Sequence, residues 1–304
     1  LTKITIAAVG DLLIKKKMIA SAAKEGGFAP IFAKVKPLLR KSDLTIGNLE
    51  TTFSGNHFRE KPGKLLFNSP DHFAATLRNL GFDVLGTANN HCMDGKQSGL
   101  RRTLNVLDRH GLRHTGTYRS AREARRKLIV NVKGIQIGIL AYTKGTNGIP
   151  VPDPWSVNRI NRKKIIADVR SLKSQADFLI VCLHFGKEFR THPDRNQIRL
   201  MHLLFKNGVN VVLGAHPHVL HPIRMFKMKD IDGLTRNRVA ASSLGNFVST
   251  EHPRHHARLR GTILILTLTK NAKGDTDVLK LSCVPTRILQ NIGEKNVYRV
   301  VPDG

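Results

Sequence analysis

The chain has 304 residues, 40% hydrophobic and 24% charged, enough to bury a large core and to exclude a disordered tail or a disulfide-stapled miniprotein. Its three cysteines are odd in number and form no CxxC, so neither a disulfide framework nor a zinc ribbon is encoded, and no apolar run approaches the ~18–20 residues of a membrane span. The formal net charge of +28 calls for an anionic partner or surface; because the cations are spread along the chain and aromatics make up only 6%, the pattern disfavours a dedicated nucleic-acid binder.

Residues 3–9, KITIAAV, read as a buried strand that stops at Gly10-Asp11. Apolar residues at helical spacing over 28–40 predict one helix, despite Pro37. Ser42-Asp43 turns into a short strand, 44–46, that ends at Gly47-Asn48-Leu49-Glu50, and the polar stretch 54–64 is a loop at the edge of any site built there. Ser69-Pro70-Asp71 opens a helix that Gly81 stops, and strand 82–85 leads into Thr87-Ala88-Asn89-Asn90-His91. Helix 97–110, strand 112–115 and a short helix at 120–126 follow, then strands 128–132 and 135–142, joined as a hairpin through Lys133-Gly134. Residues 144–158 carry two glycines, three prolines and the only tryptophan, Trp155; such a loop is too long for a mere connector and reads as a lid.

Helix 160–174 precedes strand 178–183 and His184, and helix 195–207 precedes strand 209–213, whose apolar run ends in Gly214 and presents His216 and His218. Strand 238–243 runs into Ser243-Leu244-Gly245-Asn246-Phe247, and the runs 261–269 and 277–284 around a turn at 271–275 make a C-terminal hairpin. Cys182 and Cys283 lie in apolar runs and are expected to be buried thiols; His221, His252, His255 and His256 are expected to be solvated. Strand–helix alternation with antiparallel pieces indicates a layered α/β fold with mixed sheets, and no repeat or linker divides residues 1–304, which read as one domain.

The polar residues that follow the strands fall on one predicted edge, where open α/β sheets bind ligands. Asp11, Glu50, Asn90, His184, His216 and His218 combine carboxylates, an amide oxygen and imidazoles, a donor set suited to Mn, Zn or Fe and too rich in nitrogen for Mg or Ca. Each alone has an ordinary explanation in turn chemistry or a satisfied buried histidine. Together they exceed the need of one tetrahedral zinc and fit two ions about 3.5–4 Å apart. His91, next to Asn90, is placed to protonate a leaving group, while Asp94, Glu188 and Asn246 are read as partners orienting imidazoles or loops, and Asn48 as a further polar group at the site.

The motifs Gly10-Asp11, GNLET at 47–51, LGTANNHCMDG at 86–95, LHFGKEF at 183–189, GAHPHVLHPI at 214–223 and SSLGNFV at 242–248 resemble, in order and spacing over roughly 5–250, the CapA-type proteins of poly-γ-glutamate capsule synthesis. That family is similar to the calcineurin-like metallophosphoesterases. The resemblance implies a four-layer α/β/β/α sandwich with a dinuclear site between two sheets, and makes 258–304 the strands that complete a sheet. By position it makes Asp11 the first metal aspartate and puts Glu50 in place of the bridging aspartate. Asn90 and His91 become the metal-binding and catalytic residues of the Asn-His motif, and His184, His216 and His218 the remaining ligands. Where phosphoesterases carry the histidine of DxH, this chain has Leu13, which removes one ligand from one metal.

The implied function is that of an accessory protein of capsule or envelope polymer synthesis with a metal-dependent hydrolase site for a phosphoester or an amide. The alternatives are a non-catalytic subunit that holds anionic polymer on its basic surface and, third, a nuclease or nucleotide phosphoesterase. The implied cofactor is one or two divalent ions. The implied partners are an anionic polymer and the membrane-bound subunits of a polymer synthase. The expected place is the extracellular face of the cell membrane, held by an N-terminal anchor or signal absent from this chain.

Overall fold

The computed structural model describes residues 1–252, 254–292 and 297–304. The first half forms β1 (Thr2–Leu12), α1 (Lys16–Lys24), α2 (Ala29–Phe32), α3 (Lys36–Arg40), β2 (Leu44–Leu49), α4 (His72–Leu80), β3 (Val84–Gly86), α5 (Lys96–Arg109) and β4 (Arg113–Thr115). Next come α6 (Ala121–Arg125), β5 (Leu128–Val132), β6 (Ile135–Thr143), α7 (Arg162–Lys173), β7 (Phe178–His184), α8 (Arg195–Lys206) and β8 (Val211–Ala215). The chain ends with β9 (Ile223–Lys229), β10 (Thr235–Ala241), β11 (Asn246–Val248), β12 (Arg260–Lys270), β13 (Thr276–Ile292) and β14 (Val297–Pro302).

Two mixed sheets result. One has the order β14-β13-β12-β1-β2-β3-β4, with β11 also paired to β1; the other has the order β5-β6-β7-β8-β10-β9. β1 to β4 run parallel, as do β6, β7, β8 and β10, so the strands that carry site motifs share one direction within each sheet. β12 pairs antiparallel with β1 and β13 with β12, which seats the C-terminal hairpin on the first sheet.

Strand side chains alternate between faces, and this sorts the core into three layers. Ile4, Ile6 and Ala8 of β1 face the second sheet, where Ile137, Ile180, Val211 and Val239 meet them. Ala7 and Val9 face outward against α1–α5, packing with Met18, Phe32, Leu77 and Leu104. Beyond the second sheet, Leu179 and Val181 pack on Ile165 and Val169 of α7 and Leu204 of α8. The arrangement is helices, sheet, sheet, helices: the expected four-layer sandwich. Among the described residues no helix is long and apolar enough to cross a membrane.

Local signals hold at several ends. Asp194 accepts from Gln197 N and the Gln197 side chain bonds back, a capping box that starts α8. Gly81 closes α4 at φ +101°, a conformation only glycine adopts without strain. The expected single helix at 28–40 is instead two short ones, because Pro30 and Pro37 each sit in a first turn, where a missing N–H does no harm, and neither is tolerated further along. Cys283 is exposed, not buried, since its side of β13 faces away from the core, and Cys182 is only partly buried. α1, the edge strand β9 and the short β11 have no counterpart among the expected elements.

Candidate metal centre

Asp11 lies at the end of β1, in register with Asn48 of β2 on one side and Asn246 of β11 on the other. The strand ends must come close for this. A Cβ on Gly10 would sit 2.0 Å from the Gly245 carbonyl oxygen, and one on Gly214, at the end of β8, 2.1 Å from that of Ser242. Residues 242–245, which lead from β10 of the second sheet to β11 of the first, thus touch both sheet edges, and His184, the last residue of β7, reaches across to Asn48 of the first sheet.

Asp11 Oδ1 accepts from Asn48 Nδ2 (2.8 Å), and the same amide nitrogen lies 3.3 Å from His184 Nδ1. His184 Nε2 is 3.0 Å from Asn90 Oδ1 and 3.6 Å from Glu50 Oε1. His218 Nδ1 bonds Asn246 Oδ1 (3.0 Å) and lies 3.0 Å from Asp11 Oδ2; its Nε2 is 3.7 Å from Glu50 Oε1. The Asp11–His218 contact is an ion contact and not a directed hydrogen bond, for Asp11 Oδ2 has no hydrogen-bond donor. The rings of His184 and His216 have centroids 4.7 Å apart. His216 and His218 hold positive φ values of 98° and 59°, which cost non-glycine residues about 1–3 kcal/mol each. Strain of this kind persists where the surroundings over-determine it, and here it turns two imidazoles toward one point.

Two overlapping donor groups result. Asp11, Glu50 and His184 offer ligand atoms all within 4.8 Å of one another, and so do Glu50, His216 and His218. Glu50 belongs to both. It is fully buried, and among the described residues neither of its carboxylate oxygens has a hydrogen-bond partner. A buried carboxylate left this way costs several kcal/mol unless it takes up a proton or a cation.

The electrostatics agree. Burial and the adjacent Asp11 push the Glu50 carboxyl well above its ordinary range. Burial acts to raise Asp11 as well, but His218 outweighs it and holds this carboxyl far below. Burial works against a proton on His218, yet Glu50 and Asp11 lift it to about 10. Burial, with the charge of a neighbouring imidazole, lowers both His184 and His216, which keeps them neutral and ready as ligands. Without a cation the cluster thus holds a proton on His218, in the place that a divalent ion fits. The donor set suits such an ion on chemistry, charge and spacing.

His91 stands beside this group. Its Nδ1 bonds Asp94 Oδ2 (2.7 Å), which also accepts from Phe67 N (2.6 Å), and the Phe67 ring lies 4.3 Å from the imidazole. Burial raises the Asp94 carboxyl, against the pull of His91. Asn48, Asp94 and Asn246 therefore each touch a candidate ligand or His91. Glu188 is exposed at the rim and contributes charge to Glu50 and His216 without a side-chain hydrogen bond. Leu13 is buried. His221, expected in solvent, is buried, with Nδ1 bonded to Ser242 Oγ (3.0 Å) and Nε2 to the Arg190 carbonyl (2.7 Å).

Two residues beside His91 went unread, Phe67 and Asn147. Asn147, in the 144–158 loop, accepts from Asn90 Nδ2 (3.2 Å) and places its own Nδ2 3.5 Å from His91 Nε2. Asn147 and Gly148 have φ of 50° and 72°, and Ile149 N bonds the Thr146 carbonyl (2.9 Å), a tight turn of the primed kind. The Asn-Gly pair announced that turn; nothing in the sequence aimed it at His91.

A family model described as bacterial capsule synthesis protein PGA_cap matches residues 5–251. The PGA biosynthesis protein CapA of Bacillus subtilis (strain 168) is 28% identical, over 89% of this chain and 69% of that protein. The capsule biosynthesis protein CapA of Bacillus anthracis is 22% identical, over 98% and 72%. Among solved structures, the NAD nucleotidase of Haemophilus influenzae superposes with a TM-score of 0.56 at 13% identity. The match covers 99% of this chain but spans only 60% of that longer one. The likeness shows a shared fold of the metallophosphoesterase type.

Proposed function

Because the chain belongs to the bacterial capsule synthesis protein PGA_cap family, we propose that it is an accessory protein of poly-γ-glutamate, capsule or envelope polymer synthesis with a metal-dependent hydrolase site. Asp11, Glu50, Asn90, His184, His216 and His218 would hold one or two divalent ions, Mn, Zn or Fe, and Glu50 belongs to both donor groups. The observation that carries this is the Glu50 carboxylate, buried without a hydrogen-bond partner where two donor groups overlap. A divalent ion there supplies Lewis acidity.

The chain's own residues do the rest. Asn48 and Asn246 fix Asp11 and His218 in place. Asp94 holds His91 by Nδ1, which leaves Nε2 as the nitrogen that hands a proton to a leaving group, and the Phe67 ring shields the imidazole from water. The substrate is a phosphoester or an amide of an anionic polymer. The partners are that polymer and the membrane-bound subunits of its synthase, and the place of action is the outer face of the cell membrane.

A second reading has its own observation. Leu13 fills with an apolar side chain the position from which phosphoesterases supply a histidine, which favours a non-catalytic subunit that handles polymer. Metal analysis with turnover of a phosphodiester and a γ-glutamyl amide separates the two. Glu50→Gln should lose ion and turnover together, while His91→Ala should keep the ion and lose turnover by roughly 10²–10⁴-fold. Protein that binds no stoichiometric ion refutes both metal roles; bound ion without turnover leaves the second reading.

A further inference from the structure

A cavity of about 530 Å³ opens beside the candidate metal centre. Its walls carry Lys15, Lys16 and Lys17, directly after β1, and Lys61 and Lys64 from the 54–64 loop; Leu65, Phe67 and Tyr298 add apolar surface. Phe67 lines the cavity and also packs on His91, so the cavity and the centre share a wall.

The cations are only partly answered. Lys15 Nζ pairs with Glu251 (2.7 Å) and Lys16 Nζ with Glu60 (2.6 Å). Among the described residues, no carboxylate lies within 4.0 Å of Lys17, Lys61 or Lys64. Like charges gathered in one concavity repel one another and raise the local concentration of anions.

The composition of the wall narrows the ligand. Phe67 and Tyr298 are only 5% and 4% exposed, so neither offers a ring face on which a base could stack. Among the described residues no arginine lines the cavity, so the planar fork that pairs bidentately with phosphate is missing there. Lysine ammonium groups on flexible stems suit carboxylates spaced along a mobile chain. Leu65, 66% exposed between Lys64 and Phe67, suits the methylenes that separate them.

We propose that this lysine-walled cavity seats a flexible polycarboxylate chain on the far side of Phe67 from His91. The proposal rests on the envelope-polymer reading above but does not need turnover.

The test is the affinity of the full chain for poly-γ-glutamate, measured against ionic strength. The triple variant Lys17→Glu/Lys61→Glu/Lys64→Glu should weaken binding by roughly tenfold or more and flatten its salt dependence. Its matched control, Arg162→Glu/Lys163→Glu/Arg199→Glu, makes the same charge change on exposed positions of α7 and α8 and should weaken binding far less. Equal losses in the two variants would overturn the proposal in favour of diffuse attraction by the net charge. Alanine at the same three lysines should give the same ranking without reversed charge. Tighter binding of polyphosphate or duplex DNA than of poly-γ-glutamate at equal charge would overturn the polycarboxylate assignment. Glu50→Gln should still bind the polymer; if it does while wild type shows no turnover, only the hydrolase reading falls.

Discussion

His218 keeps a proton at the centre when no cation is present. Burial and Asp11 drive the Glu50 carboxyl up, and the carboxylates around it lift His218 to about 10. At neutral pH His218 therefore carries a proton that a divalent ion must displace, so binding should release protons and weaken as pH falls. Calorimetric titration of Mn or Zn in two buffers of different ionisation enthalpy measures the number released. Zero release at pH 7 contradicts the charge state described here. Which residue types make up the site was readable in the sequence, because ligand-type side chains follow successive strands. That Glu50 is the shared member was implied only by resemblance; its geometry comes from the convergence of the two sheet edges.

At the level of elements, the turn at Thr146–Ile149 carries contacts with Asn90 and His91 that the sequence did not disclose. Asn147 holds φ of 50°, which alanine adopts at a cost of roughly 1 kcal/mol and glycine adopts freely. Asn147→Gly should keep the turn and thermal stability while removing the contacts to Asn90 and His91. Asn147→Ala should lower stability by about that amount as well. Unfolding midpoints of the two variants check the difference, and identical midpoints would show that the backbone does not need the left-handed conformation. The helix read from its end signals, α4, lies close to its expected bounds because Ser69-Pro70-Asp71 and Gly81 act locally. The 28–40 segment broke in two because apolar periodicity continued past prolines that the backbone could not accommodate in one helix. β9 escaped notice because an edge strand alternating basic and apolar residues buries little of its surface.

Over the whole molecule, the net charge of +28 opposes compaction, and carboxylates held low by cations offset part of it. Burial would raise Asp168, but Lys127, Lys164 and Tyr142 hold it below its ordinary value. Burial is likewise outweighed at Asp230 by Arg238 and at Asp43 by Lys133. A carboxyl whose folded pKa is depressed stabilises the fold above its unfolded pKa and loses that contribution as pH falls through the folded one. The unfolding temperature should therefore drop as pH falls below about 4, and more steeply at low salt, where growing positive charge is less screened. Scanning calorimetry between pH 6 and about 2.5 at two ionic strengths tests this; a flat profile would mean these pairs contribute nothing to stability.

Strand motifs, their order and their donor types belong to the sequence, because period-2 and helical apolar patterns and the residues that end them are local properties. They determined the layered α/β class and named the residues that meet at the centre. Whether those residues meet, and how, was decided by tertiary structure. Asp11 and Glu50 come from one sheet and His184, His216 and His218 from another, and only the packing of Ile6 and its neighbours against Ile180 and Val211 brings the two carboxyl edges together. The same holds for the lysine-walled cavity, whose cations are dozens of residues apart in the chain and become one electrostatic object only when β1 and the 54–64 loop are folded side by side.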